Sequence, residues 1–279
     1  MSPALLLLVL VAAVFHATWN AMLKAAEAPL ALAARATAFG TLAAFPPVAA
    51  LWLAQGRPGM PPIAWLIVIT SAVLELLYFV ALTNAYQRGE LSVVYPIARG
   101  TAPLLAVLAG LLLLGERLGT PALLGIICLL AGIWAIRRPT PASAALIPAL
   151  ITGVLIAAYS SVDRVGVRLA PPWLYGWFLW LFEATLLLLY ARFRGIPGAT
   201  LTVEPRRSLL VGVLMTTTYF MILFALSVAP LAIVAPVRES AIVLIAAWGI
   251  WRLRERRGAW LRVAGALAIL AGIALVAIA

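Results

Sequence analysis

Charged side chains are scarce in this sequence, and their scarcity excludes an ordinary soluble protein. Only 10% of the 279 residues are charged, 65% are hydrophobic, and the mean hydropathy is +1.11. Soluble domains carry about 25% charged and about 45–50% apolar residues. The charged residues are too few to cover a water-soluble globule of this length, so the sequence indicates a membrane protein.

Three residue types that often carry chemistry occur once each, as His16, Cys128 and Asp163. A single cysteine excludes an internal disulfide, and a single histidine leaves a metal site short of ligands. Asp163 stands beside Arg164 at the predicted end of a helix, and we assign it no role. The sequence also lacks the G-x4-G-K-[S/T] loop that binds nucleotide phosphates. We therefore expect no metal, no cofactor, no enzymatic activity and no ATP-driven transport.

Acidic residues are fewer than basic ones, with 9 Asp and Glu against 20 Lys and Arg, for a net charge of +11. The arginines are scattered through short connections between apolar runs. This distribution suits contact with lipid headgroups, and we expect no nucleic-acid partner.

Long apolar runs are what the sequence has in abundance. A membrane-spanning helix needs about 20 apolar residues, and the chain has room for about ten such spans without an extramembrane domain. The spans are predicted at residues 3–23, 30–54, 63–86, 91–114, 119–136, 145–165, 172–191, 207–228, 231–251 and 259–278. The sequence predicts an all-α polytopic membrane protein with ten transmembrane helices.

The two halves of the sequence repeat a motif order. LSVVYPIARG, GER, Gly125 and Gly132 in the first half correspond to LAIVAPVRES, RER, Gly265 and Gly272 in the second. We predict a first unit at 1–140 and a second at 141–279, each with five spans. Because five is odd, the second unit must enter the membrane inverted. Inverted repeats allow alternating access around a site at their junction.

The order of HATWNAMLK, ELSVVYPIARGTAPLLAVL, a GER turn and G-x6-G resembles the EamA-type transporters of the drug/metabolite transporter (DMT) superfamily. The resemblance covers both halves of the chain. It implies ten helices in two inverted five-helix units, a central cavity, and export or exchange of small metabolites without ATP. It does not fix the substrate, which varies within the family.

Two arginines fall inside predicted spans, where ionisable groups are costly and usually face a cavity or a partner. Pro96, Arg99 and Pro103 share one helix face at spacings of three and four. Arg99 either binds an anion in the central cavity or pairs with a buried glutamate that locks two helices. Arg238 and Glu239 repeat the pattern after Pro236, with a substrate role and a structural role equally open.

Glu75 and Glu183 are the acidic residues we predict to bind a coupling proton, because buried carboxyl groups form proton relays in transporters. Glu75 is also a candidate for substrate binding. The alternative for Glu75 is a permanent ion pair with Arg99, and Glu183 has the same ambiguity.

Polar and aromatic residues complete the predicted cavity wall. His16, Trp19 and Asn20 share one face of the first helix, although a lone histidine is often only a packing hydrogen-bond partner. The remaining candidates are Tyr159 and Ser160 in the sixth span and the tyrosines Tyr78, Tyr95 and Tyr219, which could equally be core.

These residues predict a secondary-active or facilitative transporter, with export the favoured direction, for small zwitterionic or anionic metabolites such as amino acids. The alternatives are transport of an amphipathic lipid-linked precursor and, in a different class, an intramembrane enzyme. The expected partners are a small-molecule substrate and membrane lipids. The expected location is the cell inner (plasma) membrane, with the chain a monomer or homodimer.

The orientation has two conflicting predictions. Connections after odd-numbered spans carry thirteen basic residues, from Lys24 to Arg262, whereas the opposite side carries Arg57, Arg117, Arg164 and Arg168. The positive-inside rule then favours both termini outside the cell. The family resemblance implies both termini inside.

Overall fold

The computed structural model describes residues 1–88, 91–137, 146–241 and 259–278; side chains at 86–99, 136–146, 241–259 and 262 lie outside the described part. The described residues form ten α-helices, one 3-10 turn and no strand. The helices are α1 (Pro3–Lys24), α2 (Pro29–Ala54), α3 (Pro62–Arg88), α4 (Leu91–Leu112), α5 (Thr120–Arg137), α6 (Leu146–Gly166), α7 (Pro172–Phe193), α8 (Pro205–Val228), α9 (Leu231–Arg238) and α10 (Ala259–Ile278). The prediction of an all-α protein is confirmed for these residues.

Six of these helices are long and apolar enough to cross a bilayer, namely α1, α2, α3, α6, α7 and α8, and shorter apolar stretches lie in α4, α5 and α10. Five helices, α1, α2, α3, α7 and α8, begin at a proline. Proline suits the first helical position, since its fixed φ matches the helix and its missing N–H would have no partner there.

The predicted ninth span is interrupted. The helix α9 begins at Leu231 and ends at Arg238, and Glu239–Ala241 form a 3-10 turn. The backbone N–H of Glu239 points back to the carbonyl groups of Pro236 and Val237. Pro236 lies inside α9, and the helix continues past it to Arg238. The rest of that predicted span, 242–251, lies outside the described residues.

The helices group into two compact units, and both draw on both halves of the sequence. Unit 1 contains Met1–Ala13, Asn84–Ala157 and Ala229–Ala279, and unit 2 contains Val14–Thr83 and Ala158–Val228. The division into compact units does not test the sequence repeat at 1–140 and 141–279, and that repeat stays a prediction.

Unit 1 is organised by a seam of glycines between α5 and α10. A Cβ atom on Gly125 would lie 2.8 Å from the carbonyl oxygen of Gly272, and one on Gly132 would lie 2.5 Å from that of Gly265. The order of these contacts shows that the helices run antiparallel. Small residues let helices approach closely where lipid offers no hydrophobic driving force. These glycines therefore have a packing role.

The GER turn has a structural role in the same unit. Glu116 follows α4, and its carboxylate accepts the backbone N–H groups of Leu231 (2.7 Å) and Ala232 (3.0 Å) in the first turn of α9. These N–H groups have no partner within the helix, and the positive end of the helix dipole favours an anion there. Glu116 therefore fixes the start of α9 against the end of α4.

In unit 2, α2 packs on α7 and α8. Arg35, which the sequence analysis overlooked, is 3% exposed in the second turn of α2. Its guanidinium donates to Ser208 Oγ (3.0 Å) and to the carbonyl oxygen of Gly198, and pairs with Glu204 (3.3 Å). The long connection between α7 and α8 is thereby held against α2.

We predict that Glu116→Gln lowers the thermal stability of the protein. Glutamine has one acceptor oxygen and no charge for the two N–H groups, so the free energy of unfolding should fall by about 1 kcal/mol. The measurement is the unfolding midpoint in detergent. Glu27→Gln, which removes an exposed carboxylate from the connection between α1 and α2, is the matched control. Equal midpoints for the two variants would contradict the capping role.

Candidate functional site

Three acidic side chains meet inside unit 2, on three different helices. Glu75 on α3 is 4% exposed, Asp163 on α6 is 1% exposed and Glu183 on α7 is 1% exposed. A carboxyl group in an apolar bundle is costly unless it is paired, protonated or hydrogen-bonded. We call Glu75, Asp163, Glu183 and the hydroxyl groups that contact them the acidic cluster.

Asp163 has the most hydrogen-bond donors in the acidic cluster. Its Oδ1 accepts the hydroxyl of Ser71 from α3 (2.5 Å) and that of Tyr175 from α7 (2.8 Å), while its Oδ2 accepts the hydroxyl of Tyr219 from α8. Hydrogen bonds to an ionised group are the strongest in proteins. One carboxylate thereby joins four helices of unit 2.

Tyr219 links Asp163 to Glu75. Its hydroxyl lies within hydrogen-bonding distance of Glu75 Oε1 as well as Asp163 Oδ2. A phenol has one hydrogen and can donate to one carboxylate at a time. The second contact is a hydrogen bond only when that carboxyl group carries a proton of its own and donates it to the phenol oxygen.

Glu183 lies beside Glu75, and the two carboxyl groups interact directly. Among the described residues, no hydroxyl or N–H group donates to either oxygen of Glu183. Trp180, one turn earlier on α7, is 3% exposed, and its indole N–H has no acceptor in the described part of the chain. Buried polar groups are normally satisfied, so unsatisfied ones identify a place where a ligand or water can bind.

Aromatic rings border the acidic cluster. The rings of Trp180 and Tyr219 lie 5.8 Å apart, and those of Tyr78 and Tyr159 lie 5.7 Å apart in an edge-to-face arrangement. Ser160, next to Tyr159, is buried, and its hydroxyl makes no hydrogen bond with the described residues. Aromatic faces near buried acids can bind a cation.

The predicted group on α1 is also part of unit 2. Asn20 donates to the carbonyl oxygen of His16 (2.9 Å), and its amide lies 3.1 Å from His16 Nε2. The rings of His16 and Trp19 are 4.6 Å apart, edge to face. The Trp19 indole N–H is buried with no acceptor among the described side chains and backbone. Metal binding has no support in the described residues, where no group of three His, Cys, Asp or Glu could hold an ion.

Arg238 and Glu239 lie in unit 1, where α9 gives way to the 3-10 turn. Both are buried, and Arg238 Nε lies 3.8 Å from Glu239 Oε1. This ion pair agrees with a structural role for the two residues. The Nε donor of Arg238 has no hydrogen-bond acceptor among the described residues. Tyr95 and Arg99 are in α4, and their side chains lie outside the described part of the chain.

The role of Asp163 was not predicted from the sequence. The predicted helix end is correct, since α6 ends at Gly166, but the carboxylate is buried. The signal was present: Asp163 is the only aspartate of the chain and has apolar neighbours, Val162 and Val165. Intramembrane acids are rare enough to be functional candidates by default, the argument already applied to Glu75.

Comparison with known proteins agrees with the resemblance seen in the sequence. Residues 4–138 match the model of the EamA-like transporter family. A solved structure, described only as the crystal structure of a protein, is similar over 99% of this chain and 99% of its own, with a TM-score of 0.74 and 17% identity. That likeness concerns the fold alone. No curated protein sequence matches the chain.

We predict that Asp163→Asn destabilises the protein, because the amide cannot accept from three hydroxyl groups at once. The loss should be about 1–3 kcal/mol, the range for buried hydrogen bonds to a charged group. The measurement is the unfolding midpoint in detergent, with the exposed Glu27→Gln as control.

A double-mutant cycle identifies the contact responsible. Ser71→Ala combined with Asp163→Ala should cost less than the sum of the two single variants, because both remove the hydrogen bond from Ser71 to Asp163. Strict additivity would show that Asp163 stabilises the unit through other groups.

Proposed function

We propose that this chain, whose residues 4–138 match the model of the EamA-like transporter family, moves small metabolites across the cell inner (plasma) membrane as a secondary-active or facilitative transporter, with export as its direction. The family is one of membrane transporters of the DMT kind. The proposal includes alternating access between two inverted halves, as the sequence repeat predicts. The observation that carries it is the acidic cluster, with its unsatisfied carboxyl and indole groups.

Within the substrate classes predicted from the sequence, we favour zwitterions with an amino group, such as amino acids. Glu75, Asp163 and Glu183 make the cluster acidic, and an ammonium group can satisfy Glu183, which lacks a donor among the described residues. Trp180 and Tyr219 offer aromatic faces beside it. A purely anionic substrate would be repelled at this position, since like charges at short range in a bundle are unfavourable.

The cluster also supports proton coupling. Asp163 already accepts from Ser71 and Tyr175, so we assign the extra proton required by the Tyr219 contacts to Glu75. A neutral Glu75 also removes the charge repulsion between its carboxyl group and that of the neighbouring Glu183. Arrival of a substrate ammonium group would supply the positive charge in place of that proton. Competition between substrate and proton for one site is a direct way to couple their movements.

We predict that Glu75→Gln abolishes acceleration by a pH gradient while keeping exchange of substrate across the membrane, and that Glu183→Gln, which removes the carboxylate proposed to bind the substrate ammonium group, weakens both. Exchange needs no net proton movement, whereas gradient-driven uptake requires a carboxyl group that releases its proton. The measurement is uptake of a radiolabelled amino-acid mixture into proteoliposomes, with and without an imposed gradient. Glu27→Gln, which removes an exposed carboxylate of the same unit, is the control.

Gradient-driven uptake that is unchanged in both variants would remove these residues from coupling. Loss of exchange and of gradient-driven uptake together in Glu75→Gln, at unchanged thermal stability, would assign Glu75 to substrate binding without coupling.

Arg99 is proposed to bind a carboxylate or phosphate group, by its place between Pro96 and Pro103. We predict that Arg99→Lys keeps the protein folded and loses roughly 10- to 150-fold in affinity, the equivalent of one charge-assisted hydrogen bond. Lysine preserves the charge for a glutamate partner and cannot form the two-pronged contact of a guanidinium. The measurement is substrate affinity in proteoliposomes, beside the unfolding midpoint. Unchanged transport, or a matching collapse of stability, would favour the structural role.

A further inference from the structure

A cavity lies in unit 2, and its lining contains no residue of the acidic cluster. It has a volume of about 480 Å³ and is bounded by the last turns of α2, the connection at 57–60, and the first turns of α3 and α7. We call it the interfacial pocket; its principal lining residues are Phe45, Trp52, Arg57, Trp65, Trp177 and Phe178.

The position of the pocket follows from where its helices end. α2 leaves the apolar layer at Ala54, and α3 re-enters at Pro62, so both ends lie on the same side of the membrane. α7 contributes only its first two turns, from Leu174 to Phe178. Tryptophan is enriched at the level where hydrocarbon meets headgroups. Trp52, Trp65 and Trp177 therefore place the pocket at the membrane–water interface.

The walls of the pocket are held in place by contacts of their own. Trp177 donates its indole N–H to the carbonyl oxygen of Thr41 (3.2 Å), and its ring lies 5.6 Å from Phe45 and 5.0 Å from Phe178. The rings of Trp65 and Phe178 are 4.5 Å apart. A preformed apolar cavity of this size is within the range of ligand sites, and binding it costs little ordering of the protein.

Arg57 is the charged residue of this lining. Its guanidinium lies over the Trp52 ring, 5.7 Å from the centroid, and the Trp52 indole N–H donates to the carbonyl oxygen of Pro58 (3.1 Å). A guanidinium has five N–H donors in a planar fork that matches a phosphate. Arg57 has a φ of 60°, in the left-handed region that arginine rarely adopts.

We propose that the interfacial pocket binds an anionic phospholipid of the adjoining leaflet, with an acyl chain between the aromatic walls and the phosphate at Arg57. The apolar walls match hydrocarbon, the single cation matches an anionic headgroup, and the pocket opens at the depth where headgroups lie. The site is independent of the acidic cluster and of the transport cycle proposed above.

The test compares phosphatidylglycerol with phosphatidylcholine of identical acyl chains, added to the purified full-length protein and counted by native mass spectrometry. The wild-type protein should retain one phosphatidylglycerol about fivefold more tightly than phosphatidylcholine, the effect of one arginine near an anionic headgroup. Arg57→Gln should abolish that preference. Arg168→Gln removes the same charge from an exposed position just before α7 and should keep it.

A second pair of variants tests the cavity itself. Ala49 lines the pocket, and Ala49→Phe should displace both lipids, whereas Ala50→Phe, on an exposed face of the same helix, should not. Unfolding midpoints for the pair establish that both variants fold.

Three results would overturn the proposal. One is a phosphatidylglycerol preference that survives Arg57→Gln. Another is equal lipid retention by Ala49→Phe and Ala50→Phe. A third is a dimer signal in the wild-type protein that Ala49→Phe removes, which would identify a second copy of the chain as the occupant.

Discussion

The Asp163 carboxylate is the interaction on which unit 2 depends. Three hydroxyl groups, from Ser71, Tyr175 and Tyr219, converge on one side chain that is 1% exposed. In water each of these groups would be solvated at no cost to the fold, but inside a bilayer each must find its partner within the protein. The geometry of α3, α6, α7 and α8 is set by the need to bring these groups together. The same geometry places Glu75 and Glu183 side by side.

A carboxylate organises unit 1 in a different way. Glu116 accepts two backbone N–H groups at the start of α9, so its contribution is to end one helix and begin another. Asp163 accepts hydrogen bonds from side-chain hydroxyl groups, whereas Glu116 accepts them from backbone N–H groups. In both cases a rare anion removes the penalty of polar groups that lipid cannot solvate. The few acids of the chain therefore account for much of its polar architecture, in keeping with a composition that has little charge to use.

Features that depend on one segment could be predicted from the sequence. Features that depend on how deep a residue is buried, or on contacts between residues far apart in the chain, could not. Apolar runs located the helices because hydrophobicity and helix length are properties of one segment. Glu75 and Glu183 were found since each lies in the middle of a run. Asp163 was missed because it lies close to a helix end, where an acid is normally solvated. Arg35 was missed because its partners, Ser208 and Glu204, are far away in the chain. The end of α9 at Arg238 was not predicted, because the apolar run of the ninth span continues beyond it.

The glycine seam between α5 and α10 has a consequence for how this sequence can change over generations. Where two side chains meet, a larger residue on one helix can be accommodated by a smaller one on the other. At Gly125, Gly132, Gly265 and Gly272 the backbones themselves are in contact, and glycine is already the smallest residue. No second-site replacement across the seam can compensate an enlargement. Each of the four glycines is therefore constrained on its own, since no substitution on the other helix could compensate for its replacement. Covariation between α5 and α10 should be absent at their closest approach.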